Sequence, residues 1–215
     1  MRRAALALAL TGCATAPFAC PSEPGLSPLA DYDSAMVRDH ISTTLIETAR
    51  YFQADFTIIC VSRPLNLAQA NVLTGELRLG WRFLQRYGAR SDLLTITAML
   101  AHETAHLFQY QTDWFDQTPG KATTVRCVEL YADFLAGGFL VWHLEQSGQT
   151  LRSPRDLLYG LVGQSGFLPL MVSQHGLPEE RDRAFESGFA MSSELSAPQM
   201  ATGWASLAAT LGCVD

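Results

Sequence analysis

The sequence predicts an α+β domain that is mostly helical, with a small sheet packed on its longest helix. Two short stretches have the composition of strands, and several longer stretches have the spacing and caps of helices. Of the 215 residues, 48% are hydrophobic and only 17% are charged, which excludes a disordered chain. The length suits one compact domain with a short extension, and no repeat is present that predicts a solenoid.

The N-terminal residues have the features of an export signal. A pair of arginines precedes the apolar run from Ala4 to Leu10, which is too short to span a bilayer as a helix. The run ends in Leu-Thr-Gly-Cys, which resembles the bacterial lipobox, so residues 1–12 are predicted to be a lipoprotein signal peptide and Cys13 to carry the lipid. The alternative is an ordinary secretory signal that is cut a few residues later.

A proline-rich segment follows the signal. Four prolines between residues 17 and 28 favour an extended backbone, so residues 13–30 are predicted to be a tether and residues 31–215 the folded domain. The net charge of −6 and the scattered basic residues exclude a nucleic-acid footprint. The expected location is the bacterial cell envelope, on the outer membrane facing the periplasm, with the N-terminal lipid as the contact to the membrane.

The domain is predicted to begin with a helix and two strands. Ser34 can cap a helix that ends near Gln53, and its His40 belongs to no motif and is assigned a structural role. Phe56–Val61 is an apolar run rich in β-branched residues, which predicts a buried strand. Glu76–Leu79 alternates charged with apolar residues, which predicts a short strand with one solvated face.

A long helix is predicted from Ser91, because no Pro or Gly occurs before Pro119. It contains the pattern His-Glu-x-x-His at residues 102–106. Residues four apart lie on the same face of a helix, so His102 and His106 can bind one tetrahedral metal ion. Glu103 is one step around the helix, where it can act on a water at that metal. The pattern predicts a catalytic zinc site.

A catalytic zinc needs a third protein ligand. Gln109 and Thr112 occupy the positions where a metzincin has Gly and His, which excludes that class. Glu129 and Asp133 share one face of a second predicted helix, so Glu129 is predicted to bind zinc and Asp133 to orient a ligand histidine. The competing third ligands are Asp113 and Asp116, which follow the histidines too closely, and His143, expected at the far end of the second helix.

Small residues on the two helices predict that their axes approach closely. Tyr131 is expected to face away from Glu129 and to lie in the core. The small residues are Ala98, Ala101 and Ala105 on the first helix and Ala132, Ala136 and Gly137 on the second.

These residues resemble the gluzincin metallopeptidases, in particular the bacterial neutral zinc metallopeptidase family and the related CAAX-endopeptidase-like family. The likeness covers roughly Leu67 to Phe189. It rests on three segments: Ala101–His106, Glu129–Gly137, and the segment from His175 to Phe185 that includes Gly176, Glu179, Arg181 and Arg183. Unlike the membrane-embedded relatives, the chain shows no series of hydrophobic spans.

The resemblance implies a minimal gluzincin domain in which His102, His106 and Glu129 bind Zn²⁺ and Glu103 is the general base. It also implies that Glu76–Leu79 is an edge strand to which an extended peptide substrate adds.

The third segment of the resemblance leaves two questions open. His175 either stabilises the oxyanion or is a structural hinge of its loop. Arg181 and Arg183 are interpreted as part of a solvated helix that begins at Pro178, with the binding of a carboxylate as the alternative.

Four further cysteines permit two disulfides in an oxidising compartment, in three connectivities. We favour Cys60–Cys127 with Cys20–Cys213, because the second bond would tie the two ends of the domain together.

The predicted function is a zinc-dependent endopeptidase of the bacterial envelope that acts on a peptide or protein substrate. The alternative is a zinc-binding envelope lipoprotein with a binding or assembly role. The intact Glu103 argues against this alternative, since a binding module needs no base at that position. Hydrolysis of a non-peptide amide is a third option.

Overall fold

The computed structural model describes residues 20–56, 58–89, 93–112, 114, 124–149, 175–191 and 194–213. These residues have the predicted α+β fold, mostly helical, with a small four-stranded mixed sheet. The strands are β1 (Leu26–Pro28), β2 (Ile58–Ser62), β3 (Ala68–Asn71) and β4 (Glu76–Gly80). The helices are α1 (Ala35–Phe52), α2 (Trp81–Ala89), α3 (Leu93–Gln111), α4 (Val125–Ser147), α5 (Pro178–Phe189) and α6 (Ala197–Thr210), and a 3₁₀ turn (Leu29–Asp31) follows β1.

The described sheet has the strand order β1-β2-β4-β3. β2 and β4 are parallel, whereas β1 is antiparallel to β2 and β3 is antiparallel to β4. The predicted strands at Phe56–Val61 and Glu76–Leu79 are present as β2 and β4. The expectation that Glu76–Leu79 is the edge strand is wrong, because β4 lies between β2 and β3. β1 and β3 are the edge strands of the described sheet, and β3 contacts α3.

The edge strand β3 has no strand signature in the sequence. Its residues are Ala-Gln-Ala-Asn, without the β-branched or aromatic side chains that are typical of strands. The turn that follows returns the chain to β4: Gly75 has a φ of 69° and donates its N–H to Asn71 O at 2.9 Å. Glu76 is 2% exposed and contacts Arg78 at 2.9 Å, so the face that was predicted to be solvated is largely covered.

The sheet includes residues that precede Asp31. β1 pairs with β2, and Cys20 forms a disulfide with Cys60 of β2. Residues 20–30, assigned from the sequence to a tether, are therefore attached to the sheet. The predicted signal peptide, Cys13 and the rest of the predicted tether lie outside the described residues.

The predicted disulfide pairing is wrong. The structure joins Cys20 to Cys60 and Cys127 to Cys213, instead of Cys60 to Cys127 and Cys20 to Cys213. Cys60 lies in the sheet, whereas Cys127 lies in the first turn of α4, next to the residues that follow α6. Each bond therefore fastens a terminal segment to a core element, a pairing that sequence spacing alone does not determine.

Helix α1 has the predicted cap and bounds. The Ser34 side chain accepts the N–H of Val37 at its start, and Gln53 ends it in the left-handed conformation with a φ of 53°. The His40 ring contacts Leu93 O at 3.0 Å and Thr97 Oγ1 at 2.9 Å, both on α3. His40 thus fastens α1 to α3, which is the structural role expected for it.

Helix α4 is the central helix of the described domain, in contact with α3, α5 and α6. Thr124 caps its start, and Gly148 ends it with a φ of 66°. Its length and a mean hydropathy of 1.2 would allow it to cross a membrane, but 78% of that apolar window is buried inside the protein. This burial is typical of a core helix.

Helices α4 and α5 meet backbone to backbone. A Cβ atom on Gly188 of α5 would overlap Phe134 O of α4, and one on Gly137 of α4 would overlap Phe185 O of α5. Gly137 was predicted to bring the helix of His102 and His106 close to the helix of Glu129, but it faces α5 instead. A glycine in a helix interior lowers the stability of the helix by about 1 kcal/mol relative to alanine. The close packing of the two helices compensates for this loss.

The substitution Gly188→Ala tests this contact through the sign of its effect. At an open helical position alanine is more stable than glycine by roughly 0.5–1 kcal/mol. Here we expect the free energy of unfolding to fall by about 1–3 kcal/mol, because the new Cβ overpacks against Phe134. Urea denaturation followed by circular dichroism measures the change, with Ser187→Ala in the same helix as the control. A variant at least as stable as the wild type would contradict the contact.

Candidate metal centre

Two histidines of α3 face each other one helical turn apart. His102 and His106 lie on the same side of the helix, and their Nε2 atoms are 3.2 Å apart. Both side chains are largely buried, with 9% and 15% of their surface exposed. Two ring nitrogens at this distance, directed at one point, can share a proton or bind one cation.

Glu129 of α4 completes a triangle of donor atoms. Its Oε2 lies 3.4 Å from His102 Nε2, and its Oε1 lies 3.6 Å from His106 Nε2. Ligand atoms around a tetrahedral ion with bonds of about 2.0–2.1 Å are separated by roughly 3.3 Å. One oxygen of Glu129 approaches each histidine at close to this separation, and one ligand atom of each residue lies within 4.8 Å of the others. Among the described residues, His102, His106 and Glu129 therefore form a group that can hold a metal ion.

Gln109 fixes the orientation of His106. The Gln109 side-chain amide donates to Val128 O of α4 at 2.9 Å, which turns its Oε1 towards His106 Nδ1, also at 2.9 Å. A carbonyl oxygen accepts, so Nδ1 carries the proton and Nε2 keeps its lone pair for a metal. This support links the ligand histidine to the backbone of the helix that carries Glu129.

Asp133 of α4 stands behind His102 as predicted. Its Oδ1 lies 3.0 Å from His102 Nδ1, although the ring N–H does not point directly enough at it to form an aligned hydrogen bond. Arg181 of α5 holds the same carboxylate with two hydrogen bonds, at 2.7 and 2.8 Å. The interpretation of Arg181 as a solvated residue is thus wrong, and the alternative, the binding of a carboxylate, is confirmed. Its side chain is only 11% exposed and is paired with the buried carboxylate of Asp133.

The electrostatics of the centre favour positive charge between the carboxylates. Burial acts against a charged His102, but contacts with Asp133 and Glu129 raise its pKa to about 10. Burial likewise opposes ionisation of Glu129 and Asp133, yet His102 and Arg181 respectively hold the pKa of each below its usual range. A cation held by the same donors would supply positive charge at this place.

Glu103 borders the same cavity of about 320 Å³ as the three donor residues. It is 8% exposed, and its Oε2 accepts the backbone N–H of Ala70 in β3 at 2.7 Å. Its Oε1 has no hydrogen-bond partner among the described residues. The sheet edge therefore positions one oxygen of this carboxylate through a main-chain hydrogen bond.

His175 lies just before α5 and also borders the cavity. Its Nδ1 is 3.3 Å from Glu129 Oε1, and this contact raises the pKa of its ring. The side chain is 29% exposed, which makes it the most open of the three histidines around Glu129. The structure brings His175 to the centre, and this position leaves open both alternatives given for it.

The remaining candidates lie elsewhere. His143 is on α4, where its Nδ1 contacts Glu47 Oε2 of α1 at 2.8 Å, so it packs helices together. Tyr131 is buried in the core and stacks on Trp114, as expected. Arg183 is exposed on α5, which agrees with a solvated position. Asp113 and Asp116 lie outside the described residues.

Two contributors were not predicted as parts of the site, and a third was given only as an alternative. Gln109 was used only to exclude a class, although its position three residues after His106 places it on the same helix face. Arg181 lies in a run of charged residues, a pattern that is typical of a solvated helix face, so its burial was not evident from the sequence. The Ala70 N–H is a main-chain group that no side-chain motif reveals.

The fold and the centre together define a small α+β protein with a buried His-His-Glu group that can hold a metal ion. No family model, curated protein or solved structure matches the chain. The resemblance to gluzincins that the motifs suggest therefore stays a prediction, and any function has to be argued from the geometry of the centre.

A metal ion bound by this group should stabilise the folded protein, and Zn²⁺ is the ion chosen to test this. A ligand at 100 times its Kd stabilises the state that binds it by about 2.7 kcal/mol, so added Zn²⁺ should raise the Tm of the wild type. His106→Ala should abolish most of this rise, because it removes one corner of the donor triangle. His143→Gln is the matched control, since its ring contacts Glu47 and not the cavity. A zinc response in His106→Ala equal to that of the wild type would show that the ion binds elsewhere.

Proposed function

We propose that the protein is a zinc-dependent peptidase whose metal is bound by His102, His106 and Glu129. The observation that carries the proposal is that one donor atom each from His102, His106 and Glu129 lie within 4.8 Å of one another, beside Glu103 in one cavity. Two imidazole nitrogens and one carboxylate suit zinc with an open position. Mg²⁺ and Ca²⁺ prefer oxygen ligands throughout, which argues against them here.

A zinc ion held there would supply a Lewis acid that polarises a carbonyl group and makes water more acidic. Glu103 would then act as the general base. Its Oε1 is unpaired among the described residues and can take a proton from water, while Oε2 stays on the Ala70 N–H. The same carboxyl group can deliver that proton to the amine that leaves when a peptide bond is hydrolysed.

The proposed substrate is a peptide that adds to β3 in an extended conformation. The N–H of Ala70 points to Glu103 and not to β4, and Gly80 donates its N–H to Leu67 O. In an antiparallel pair the main-chain groups alternate in direction, so those of Ala68 also face away from β4. An extended peptide can therefore pair with Ala68 N–H and C=O and continue past Glu103.

His175 borders the cavity beside Glu129, a position that supports its proposed role as a donor to a developing oxyanion. The alternative is a structural hinge of its loop. The proposed location, a lipid-anchored protein of the bacterial envelope, depends on residues 1–19 of the sequence, which lie outside the described residues.

Glu103→Gln separates catalysis from metal binding. Gln keeps an oxygen that can accept the Ala70 N–H, but it cannot take a proton from water. We expect kcat to fall by about 10²- to 10⁴-fold while the zinc content per chain is unchanged. Cleavage of a mixed peptide library, followed by mass spectrometry, measures the first quantity, and metal analysis the second. Equal cleavage by both proteins, or none by either, would favour the binding or assembly role instead.

Ala68→Pro tests the proposed substrate strand. Proline removes the Ala68 N–H but is tolerated at a sheet edge where that group faces outward. We expect kcat/KM to fall by about threefold to tenfold, since one hydrogen bond contributes about 0.5–1.5 kcal/mol. Ala68→Ser, which keeps the N–H, should cleave like the wild type, and both variants should retain zinc. If the proline variant also cleaves like the wild type, peptides do not pair with β3 at this residue.

A further inference from the structure

The guanidinium group of Arg181 is held between two carboxylates of α4. Its Nε and Nη2 atoms bond to the two oxygens of Asp133, and Nη2 also lies 3.9 Å from Glu129 Oε2. Only 11% of the side chain is exposed. Burying such a group is costly unless it is paired, so this arrangement calls for an explanation beyond solubility.

Two parallel hydrogen bonds fix a carboxylate more completely than a single contact. A fork-to-fork pair defines both the position and the plane of the Asp133 carboxylate. That carboxylate is the group that faces Nδ1 of His102, at 3.0 Å. The plane that Arg181 imposes on Asp133 therefore limits how the His102 ring can turn, and with it the direction of Nε2.

Helix α5 can bring Arg181 to this place because of its glycine contact with α4. The backbones touch at Gly137 and Gly188, on the same pair of helices that carries Asp133 and Arg181. A second ion pair, between Arg126 of α4 and Glu180 of α5 at 2.5 Å, fastens the first turn of α5. Position 181 is thus constrained on both sides along the helix.

We infer that Arg181 is a positioning residue for the metal centre: through Asp133 it holds His102 in the orientation that binds the ion. This inference rests on the proposed metal site, though not on peptidase activity. Electrostatics alone makes the opposite prediction. Removal of a positive charge 3.9 Å from Glu129 Oε2 should tighten the binding of a dication, whereas the loss of positioning should weaken it.

The sign of the change in metal affinity therefore tests the inference. Titration of the full chain with Zn²⁺ should give a Kd that is about 10- to 100-fold weaker for Arg181→Met than for the wild type. Arg181→Lys keeps the charge but cannot form the fork, so it should be weakened similarly. Co²⁺ in place of zinc should show altered visible absorption in both variants. Arg183→Met, at an exposed position of the same helix, should match the wild type.

A double-mutant cycle shows whether Arg181 acts through Asp133. Asp133→Asn alone should weaken zinc binding, and the double variant with Arg181→Met should be no weaker than the single Asp133→Asn variant. Additive losses would overturn the inference, as would tighter binding by Arg181→Met or wild-type binding by Arg181→Lys. Should Arg181→Met not fold, as its metal-free thermal denaturation would reveal, the lysine variant decides. Wild-type protein that binds neither ion would overturn the proposed function as well.

Discussion

The burial of three carboxylates around one cavity is the constraint on which the rest of the centre depends. Glu103, Glu129 and Asp133 lie close together with little solvent, and isolated buried charges of one sign are costly. The described residues offer Arg181 as the permanent positive partner, and one guanidinium and one dication would together neutralise the three charges. The surrounding charges thus favour a cation between the two histidines and Glu129.

The fold supplies this arrangement by fixing helices that each contribute only part of the centre. Glu129 and Asp133 are one turn apart on α4. One face of this helix therefore provides both the third ligand residue and the carboxylate that faces the ring of His102. Gln109 joins α3 to the α4 backbone, and the Cys127–Cys213 disulfide fastens the turn just before Glu129. Because these links are independent, the donor triangle does not rely on the metal alone for its shape.

The parts that could be predicted from the sequence are those in which chemistry and helical period coincide. His102 and His106 are four residues apart and therefore share one helix face. Glu129 and Asp133 have the same spacing on a second helix. β3 could not be predicted, because its alanines acquire their role only from a hairpin that places them against α3. The burial of Arg181 was not predicted, because a run of charged residues is usually solvated. Only the backbone contact at Gly188 brings this residue inward. The disulfide pairing depended on tertiary positions that the spacing of cysteines does not encode.

The contact between Glu103 and Ala70 joins helix α3 to strand β3 beside the proposed metal site. Glu103 belongs to the helix that bears both histidines, whereas Ala70 belongs to the exposed edge of the sheet. A hydrogen bond to a carboxylate is stronger than one between neutral groups. The bond of 2.7 Å therefore helps to fix the position of β3 relative to α3. A peptide that pairs with β3 is then aligned against the same carboxylate that would take the proton. Under the proposed function, β3 would position both the base and the substrate, so any shift of this strand would move both together.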